Sequence, residues 1–350
     1  MQGLYIRNFT GVAAGNGILV QDGNSAVIQD NRLSANRYGV SVIASIPRNF
    51  TISDNILGLD GSGNASGNLA NGIRIVAPPS GATVTGNTVA YSSLSGLDLS
   101  TDGTLLISDN SMYCNSGAGI TRVGGPANPV ITQANTQKIT GTAATGRVIE
   151  VFEHNNSGCT GSIPCQGRNL LGTVTTPGSG IWVLNLSAGA VPAGSQVTAT
   201  STQNGNNTSA FASCVTVADC STLNINMLTT NPACVGASDG LARAVPGGGP
   251  TPFVYAWSTG ANTQTIQNLP AGAYTVTVTS ANGCTAVETA VLSDPPPLNI
   301  STTTTSVSCF ENMDGTASAS GSGGTPGYAY LWSTGSSNPD ITNLGPGIYT

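Results

Sequence analysis

Two hydrophobic patterns run along this 350-residue chain, and neither has the 3.6-residue spacing of an amphipathic helix. In residues 1–125 a glycine followed by alternating aliphatics recurs as Gly17-Ile18-Leu19-Val20, Gly39-Val40-Ser41-Val42, Gly72-Ile73-Arg74-Ile75 and Gly96-Leu97-Asp98-Leu99, and a fifth copy starts at Gly119-Ile120. The glycines are 22, 33, 24 and 23 residues apart. Between them falls a second series ending in Asn31, Asn55, Asn87 and Asn110, each followed two residues later by Leu33, Leu57, Val89 or Met112. A period near 23 with short strands predicts a chain wound into a parallel β-helix. Ile18/Val20, Val40/Val42, Ile73/Ile75 and Leu97/Leu99 then point inward and stack, since one coil cannot bury its own face. The recurring Asn reads as a turn residue that tolerates left-handed backbone and hydrogen-bonds locally. The long interval holds residues 58–68, an inserted loop and not an extra coil.

These motifs resemble the right-handed parallel β-helix repeat family, of pectin-lyase-like shape, over about the first 125 residues. The scaffold carries lyases, hydrolases, esterases and passive adhesins, so the resemblance implies a fold and no activity. The outward residues of the repeated strands are Leu19, Ser41, Arg74, Asp98 and Thr121. Arg74 and Asp98 fall on adjacent coils, about 5 Å apart at the backbone, and read as a cross-rung ion pair worth under about 1 kcal/mol. They are the candidate surface contacts. One acid beside one base lacks the second carboxylate of paired acid–base hydrolysis, and there is no lysine base for elimination. Asp60 and its loop offer a single carboxylate where an EF-hand-type calcium site needs several.

Residues 129–217 change character. Segments 129–132, 138–142, 148–152, 171–174, 181–186 and 196–202 alternate with turn residues, the pattern of a β-sandwich. The phrases Ile139-Thr140-Gly141-Thr142-Ala143, Gly180-Ile181-Trp182 and Val197-Thr198-Ala199-Thr200 resemble bacterial immunoglobulin-like modules. Trp182 reads as a core anchor, and His154, with no nucleophile or acid beside it, as incidental.

Residues 234–275 and 309–350 align without a gap at an offset of 75. Cys234 matches Cys309, Asp239-Gly240 matches Asp314-Gly315, and Trp257-Ser258-Thr259-Gly260 matches Trp332-Ser333-Thr334-Gly335. That density of matches means duplication. Each unit reads as a small all-β module with Tyr255, Trp257 and Tyr274 on one face and Asp-Gly at a tight turn. Asp239 and Asp314 read as turn residues in preference to calcium ligands between modules, and no other cofactor is expected. A Cys234–Cys284 bridge would close about 50 residues and add about 4 kcal/mol.

The string from Cys234 through Asp-Gly, Tyr-x-Trp-Ser-x-Gly and Asn-Leu-x-x-Gly-x-Tyr-Thr to Asn282-Gly283-Cys284 resembles the SprB repeat, over residues 234–350. That family recurs in large cell-surface adhesins of gliding Bacteroidetes. The resemblance implies secretion, attachment to the outer membrane by a type IX-type route, and a role in adhesion or gliding. It supplies no ligand site.

Composition narrows the remaining choices. Only 7% of residues are charged, and Lys138 is the only lysine among ten basic residues, which argues against nucleic acid. No run of 18 apolar residues exists to span a bilayer. Residues 1–217 carry nine acids and nine bases, so the net charge of −6 belongs to residues 218–350, with seven acids and Arg243. Eight cysteines and one histidine fit disulfides in an oxidising compartment better than a metal site. Cys159 and Cys165 bracket one loop and read as its staple. Cys214 pairs with Cys114 or with Cys220, and the sequence does not choose. The start Met1-Gln2-Gly3-Leu4-Tyr5 is not a signal peptide, so either an export signal lies upstream of a cut, the preferred reading, or the chain is cytoplasmic and its thiols are free.

The expectation is an all-β chain: a right-handed parallel β-helix, truncated at its N-terminus (1–128), an Ig-like β-sandwich (129–217), one SprB-type repeat (218–297) and a second, C-terminally truncated one (298–350). Its expected role is that of a non-catalytic, extracellular adhesin or structural protein meeting polysaccharide or cell-surface ligands. The alternative is a polysaccharide lyase or hydrolase using the β-helix face.

Overall fold

The structure, a computed structural model, describes residues 5–7, 15–21, 25–43, 49–76, 79–155, 159, 164–309 and 311–350. Residues 1–4 of the start, and all but Cys159 of residues 156–163, lie outside the described residues. Every regular element among the described residues is a β-strand, and the chain divides into two compact units, 1–220 with 282–284, and 221–281 with 285–350.

The first unit begins as a β-solenoid of about four turns. Three parallel sheets run its length, because each coil contributes one short strand to each. One sheet stacks Asn16–Gln21, Tyr38–Ile43, Ile73–Ile75, Leu97–Leu99 and Ile120–Arg122. Its register pairs Ile18 with Val40, Val40 with Ile73, Ile73 with Leu97 and Leu97 with Ile120, so the aliphatic ladders form as the pattern predicts. Ile28, Ile52, Val84 and Ile107 line a second wall, and Leu33, Leu57, Val89 and Met112 a third; all are buried. The glycine opening each repeat makes this close packing possible. A Cβ on Gly72 would sit 2.2 Å from Val89 Cγ1 and 2.9 Å from the Gly96 carbonyl oxygen.

The recurring asparagines hydrogen-bond locally as expected, each Nδ2 donating to the carbonyl two residues before it, but they do not take the left-handed conformation. Left-handed backbone belongs to the residue before each: Asp30, Asp54, Gly86 and Asp109, with φ between 55° and 68°. The asparagines themselves are buried and bonded coil to coil. Asn55 donates from its backbone N (3.0 Å) and from Nδ2 (2.9 Å) to Asn87 Oδ1, and Asn87 does the same to Asn110 Oδ1 at 3.0 and 2.9 Å. Asn55 Nδ2 also donates to the Ile28 and Ser53 carbonyls, both at 2.9 Å. Carboxamides stacked at the coil spacing satisfy turn amides that would otherwise be buried unpaired. The insertion at 58–68 is a loop, closed by the Leu59–Ala65 bridge.

An antiparallel Ig-like module follows within the same unit. One sheet joins Val130–Ala134, Lys138–Thr142 and Ile181–Asn185; the other joins Asn169–Thr175, Val148–His154, Gln196–Gln203 and Asn207–Thr208. Trp182, fully buried among Ile131, Ile139, Ile149, Val151 and Val197, anchors the core.

In the second unit the duplication extends to individual hydrogen bonds. Strands Asn224–Thr230, Gly240–Gly247 and Thr265–Leu269 have counterparts Asn299–Thr305, Gly315–Ser322 and Asp340–Leu344, each starting 75 residues later. Trp257 Nε1 donates to the Thr263 carbonyl at 2.8 Å and Trp332 Nε1 to that of Asn338 at 2.9 Å. Tyr274 Oη donates to the Pro270 carbonyl and Tyr349 Oη to that of Gly345. In the first copy a second sheet, Val254–Trp257, Gly272–Thr279 and Thr285–Leu292, covers Ala242 and Ala244.

Candidate functional site

The outward strip of the solenoid is built by register. Asp98 lies opposite Arg74 and Thr121, and Arg74 opposite Ser41. Arg74 and Asp98 are neighbours at the backbone, yet their side chains do not form the expected ion pair. The Arg74 guanidinium lies over the Tyr38 ring, 5.1 Å from its centroid, and the Arg37 guanidinium lies 5.3 Å from the same centroid. Asp98 Oδ2 instead accepts from Asn71 Nδ2 (3.2 Å) and Ser100 Oγ (2.9 Å). A cation over a ring face keeps most of its hydration and loses little side-chain entropy, so it competes well with an exposed pair. Among the described residues neither Arg37 nor Arg74 has a carboxylate partner. Leu19 and Thr121 are exposed on the strip, whereas Ser41 is buried. Tyr38 and Arg37 escaped the sequence reading because they precede the repeated Gly39; their place beside it was the available signal.

The calcium candidates are occupied by their own loops. Asp60 Oδ1 accepts the amides of Asn64 and Ser62, both at 2.9 Å. The Asn64 amide foremost holds its carboxyl below the usual range. Asp239 and Asp314 accept the amides of Ala233 and Ser308, bracing equivalent loops in place of a tight turn.

The C-terminal end of the solenoid is closed by polar groups of the Ig-like module. Inside the stack the amides of Asp54 and Gly86 donate to carbonyls of the next coil, Thr85 and Ser108. The last coil has no successor, and the Ig-like module supplies the acceptors. Ile107 donates to Thr208 Oγ1 (3.0 Å), Asp109 to Glu150 Oε1 (3.1 Å), Met112 to the Gly167 carbonyl (2.6 Å) and Asn115 to Gln166 Oε1 (3.2 Å). Arg122 adds bonds to the Thr208 carbonyl and to Asn207 Oδ1. Glu150 is buried there, and desolvation pushes its carboxyl up to about 7. His154 is not incidental. It is buried, and its Nδ1 pairs with the Gln166 backbone, 3.0 Å from the amide nitrogen and 2.9 Å from the carbonyl oxygen, which orients the capping glutamine.

The cysteines pair otherwise than expected. The bridges are Cys114–Cys159, Cys165–Cys214 and Cys220–Cys284, and Cys234 and Cys309 are free and exposed. Thus Cys159 and Cys165 do not staple their own loop, Cys214 takes neither Cys114 nor Cys220, and Cys234 does not reach Cys284. The reason is spatial. The capping segment brings Cys159 to Cys114 and Cys165 to Cys214, with Cα–Cα distances of 5.0 and 5.6 Å. His154, Cys165 and Cys214 place ligand atoms within 4.8 Å of one another, but the two cysteines are consumed by their disulfide.

Among the described residues no helix is long and apolar enough to cross a membrane. Residues 2–160 match the family model of the right handed beta helix region, and residues 228–262 and 301–337 match that of the SprB repeat. No curated protein sequence matches the chain. Among solved structures, a C-terminal 282-residue fragment of intimin, in complex with the intimin-binding domain of its translocated receptor, is 13% identical. That match covers 51% of this chain and 67% of that one, with a TM-score of 0.23. The BSP domain of a biofilm associated protein is 16% identical over 48% of this chain and 29% of that one, at 0.22. The four N-terminal Ig domains of a Dscam1 isoform are 12% identical over 63% and 66%, at 0.19. With its three disulfides and its SprB repeats, the chain is an extracellular or cell-surface protein that carries a right-handed β-helix, an Ig-like module and two SprB repeats.

Proposed function

We propose that this chain is a non-catalytic surface adhesin. The β-helix strip is its contact surface for extracellular polysaccharide, the repeats are its stalk, and surface attachment or gliding is its setting, reached by a type IX-type route to the outer membrane. The observation that carries the reading is the pair of guanidinium groups, Arg37 and Arg74, held on one tyrosine ring with no carboxylate partner among the described residues. Such a pair is preorganised to receive acceptor groups of a sugar chain. The carboxylate beside it, Asp98, is engaged by Asn71 and Ser100 and has no second acid across from it on the strip. Tandem modules raise avidity from weak contacts without a strong single site.

A glycan screen of the whole chain, scored for both retention and product release, tests this. The expected result is retention without turnover, weakened about tenfold by Arg74→Ala, the loss of one charge-assisted contact of about 1.4 kcal/mol. Product release that Asp98→Ala abolishes would establish the alternative, a lyase or hydrolase. No retention of any glycan or cell surface would leave a passive scaffold. Protease shaving of intact cells tests the location: loss of the chain from whole cells is expected, and protection until lysis overturns it.

A further inference from the structure

We propose that Cys165–Cys214 is a thiol-exchange latch that controls whether the β-helix end is capped. Three observations converge on it. Both of its cysteines are half-buried, whereas each of the other two bridges contains at least one buried cysteine, Cys114 in one and Cys220 with Cys284 in the other. A ring nitrogen of His154 lies within 4.8 Å of both sulfurs, a polar group placed beside whichever sulfur leaves as thiolate during exchange. The bridge also ties together the two stretches that supply the cap. Cys165 adjoins Gln166 and Gly167, the acceptors for Asn115 and Met112. Cys214 closes the stretch that carries Thr208 and Phe211, the acceptor for Ile107 and a ring packed edge-on against Phe152 at 5.5 Å.

The chemistry needs a dithiol reductant. Its thiolate attacks one sulfur of the bridge, and the displaced cysteine leaves as a thiolate that takes a proton from water. The second thiol of the reductant then displaces the other cysteine and leaves as a cyclic disulfide. The protein gains two electrons and two protons, and the reductant loses them. With the tie cut, the capping segments keep their hydrogen bonds, the Phe152–Phe211 contact and the Cys114–Cys159 bridge but lose the covalent link to each other, and the coil-end amides open independently of the coils behind them.

The test is limited reduction of the native chain by dithiothreitol, with the bridges mapped by differential alkylation and amide exchange followed in parallel. Cys165–Cys214 is expected to reduce at least tenfold faster than Cys220–Cys284. His154→Gln is expected to slow that step and leave the other two bridges unchanged, where mere loosening would speed it. The amides of Asp109, Met112 and Asn115 should then exchange at least tenfold faster, with those of Asn55 and Asn87 unaltered. Three results would overturn the proposal: reduction no faster than at the other bridges, cap amides still protected afterwards, or mid-stack amides loosened together with the cap. Since reduction is done on the folded protein, the outcome does not depend on whether a Cys165→Ser, Cys214→Ser chain folds.

Discussion

Replacing Glu150 by glutamine changes one group in the cap, and the outcome depends on pH in a direction the structure dictates. Glu150 Oε1 accepts the Asp109 amide of the last coil from a buried position, beside the Asp109 carboxylate. Desolvation raises its carboxyl from the ordinary 4.5 to about 7, so the folded state keeps a proton that the unfolded chain releases. The sign follows by linkage: between 4.5 and 7 the unfolded state binds fewer protons, and stability falls as pH rises through that window. The distance between the two values, at 1.36 kcal/mol per pH unit, is about 3 kcal/mol, fully incurred by pH 8. Glutamine keeps an oxygen for the Asp109 amide and carries no charge. Glu150→Gln should therefore match the parent at pH 4.5 and exceed it by up to about 3 kcal/mol at pH 8. Because the chain holds two units, amide exchange over 105–112 and 148–154 in rising urea, corrected for intrinsic rates, is the appropriate assay. An equal difference at both pH values, or a variant weaker than the parent at pH 8, refutes the reasoning.

Other sites give further tests. Asn87→Ala removes the donor to the Ile52 and Thr85 carbonyls and the acceptor for Asn55, leaving several buried groups unpaired; a loss of at least about 3 kcal/mol is expected in thermal unfolding of the first unit. Gly72→Ala places a methyl 2.2 Å from Val89 Cγ1 and should cost about 1–3 kcal/mol by overpacking, partly restored by Val89→Ala. Iodoacetamide without reductant should label two cysteines per chain, Cys234 and Cys309, and peptide mapping that finds Cys220 or Cys284 labelled would contradict the pairing.

Repeats were the legible part. Gly-aliphatic-x-aliphatic at a period near 23 specifies inward ladders whatever the surroundings, because alternation in a strand decides the face by itself. The 75-residue offset was equally direct, since duplicated residues make duplicated bonds, down to the Trp257 and Trp332 indoles. The asparagines bond locally as their turn position implies, and only their conformation and their stacking differ from expectation. An Asn in a repeated turn suits left-handed backbone, but the Asp or Gly before it takes that conformation and frees the carboxamide to stack.

What pattern could not reach lies wherever partners are distant in sequence. Arg74 chose Tyr38 over Asp98 because the ring and the acid were both within reach, and only side-chain packing ranks them. Cys114 finds Cys159 across a separation of 45 residues, and Cys165 finds Cys214 across 49. The chain by itself determined that it would be all strand, coiled first and sandwiched after, because local alternation and spacing suffice for that. The tertiary fold alone decided that Glu150, Gln166 and Thr208 would finish the stack, since the need they meet, unpaired amides on a final coil, exists only once the coils are assembled.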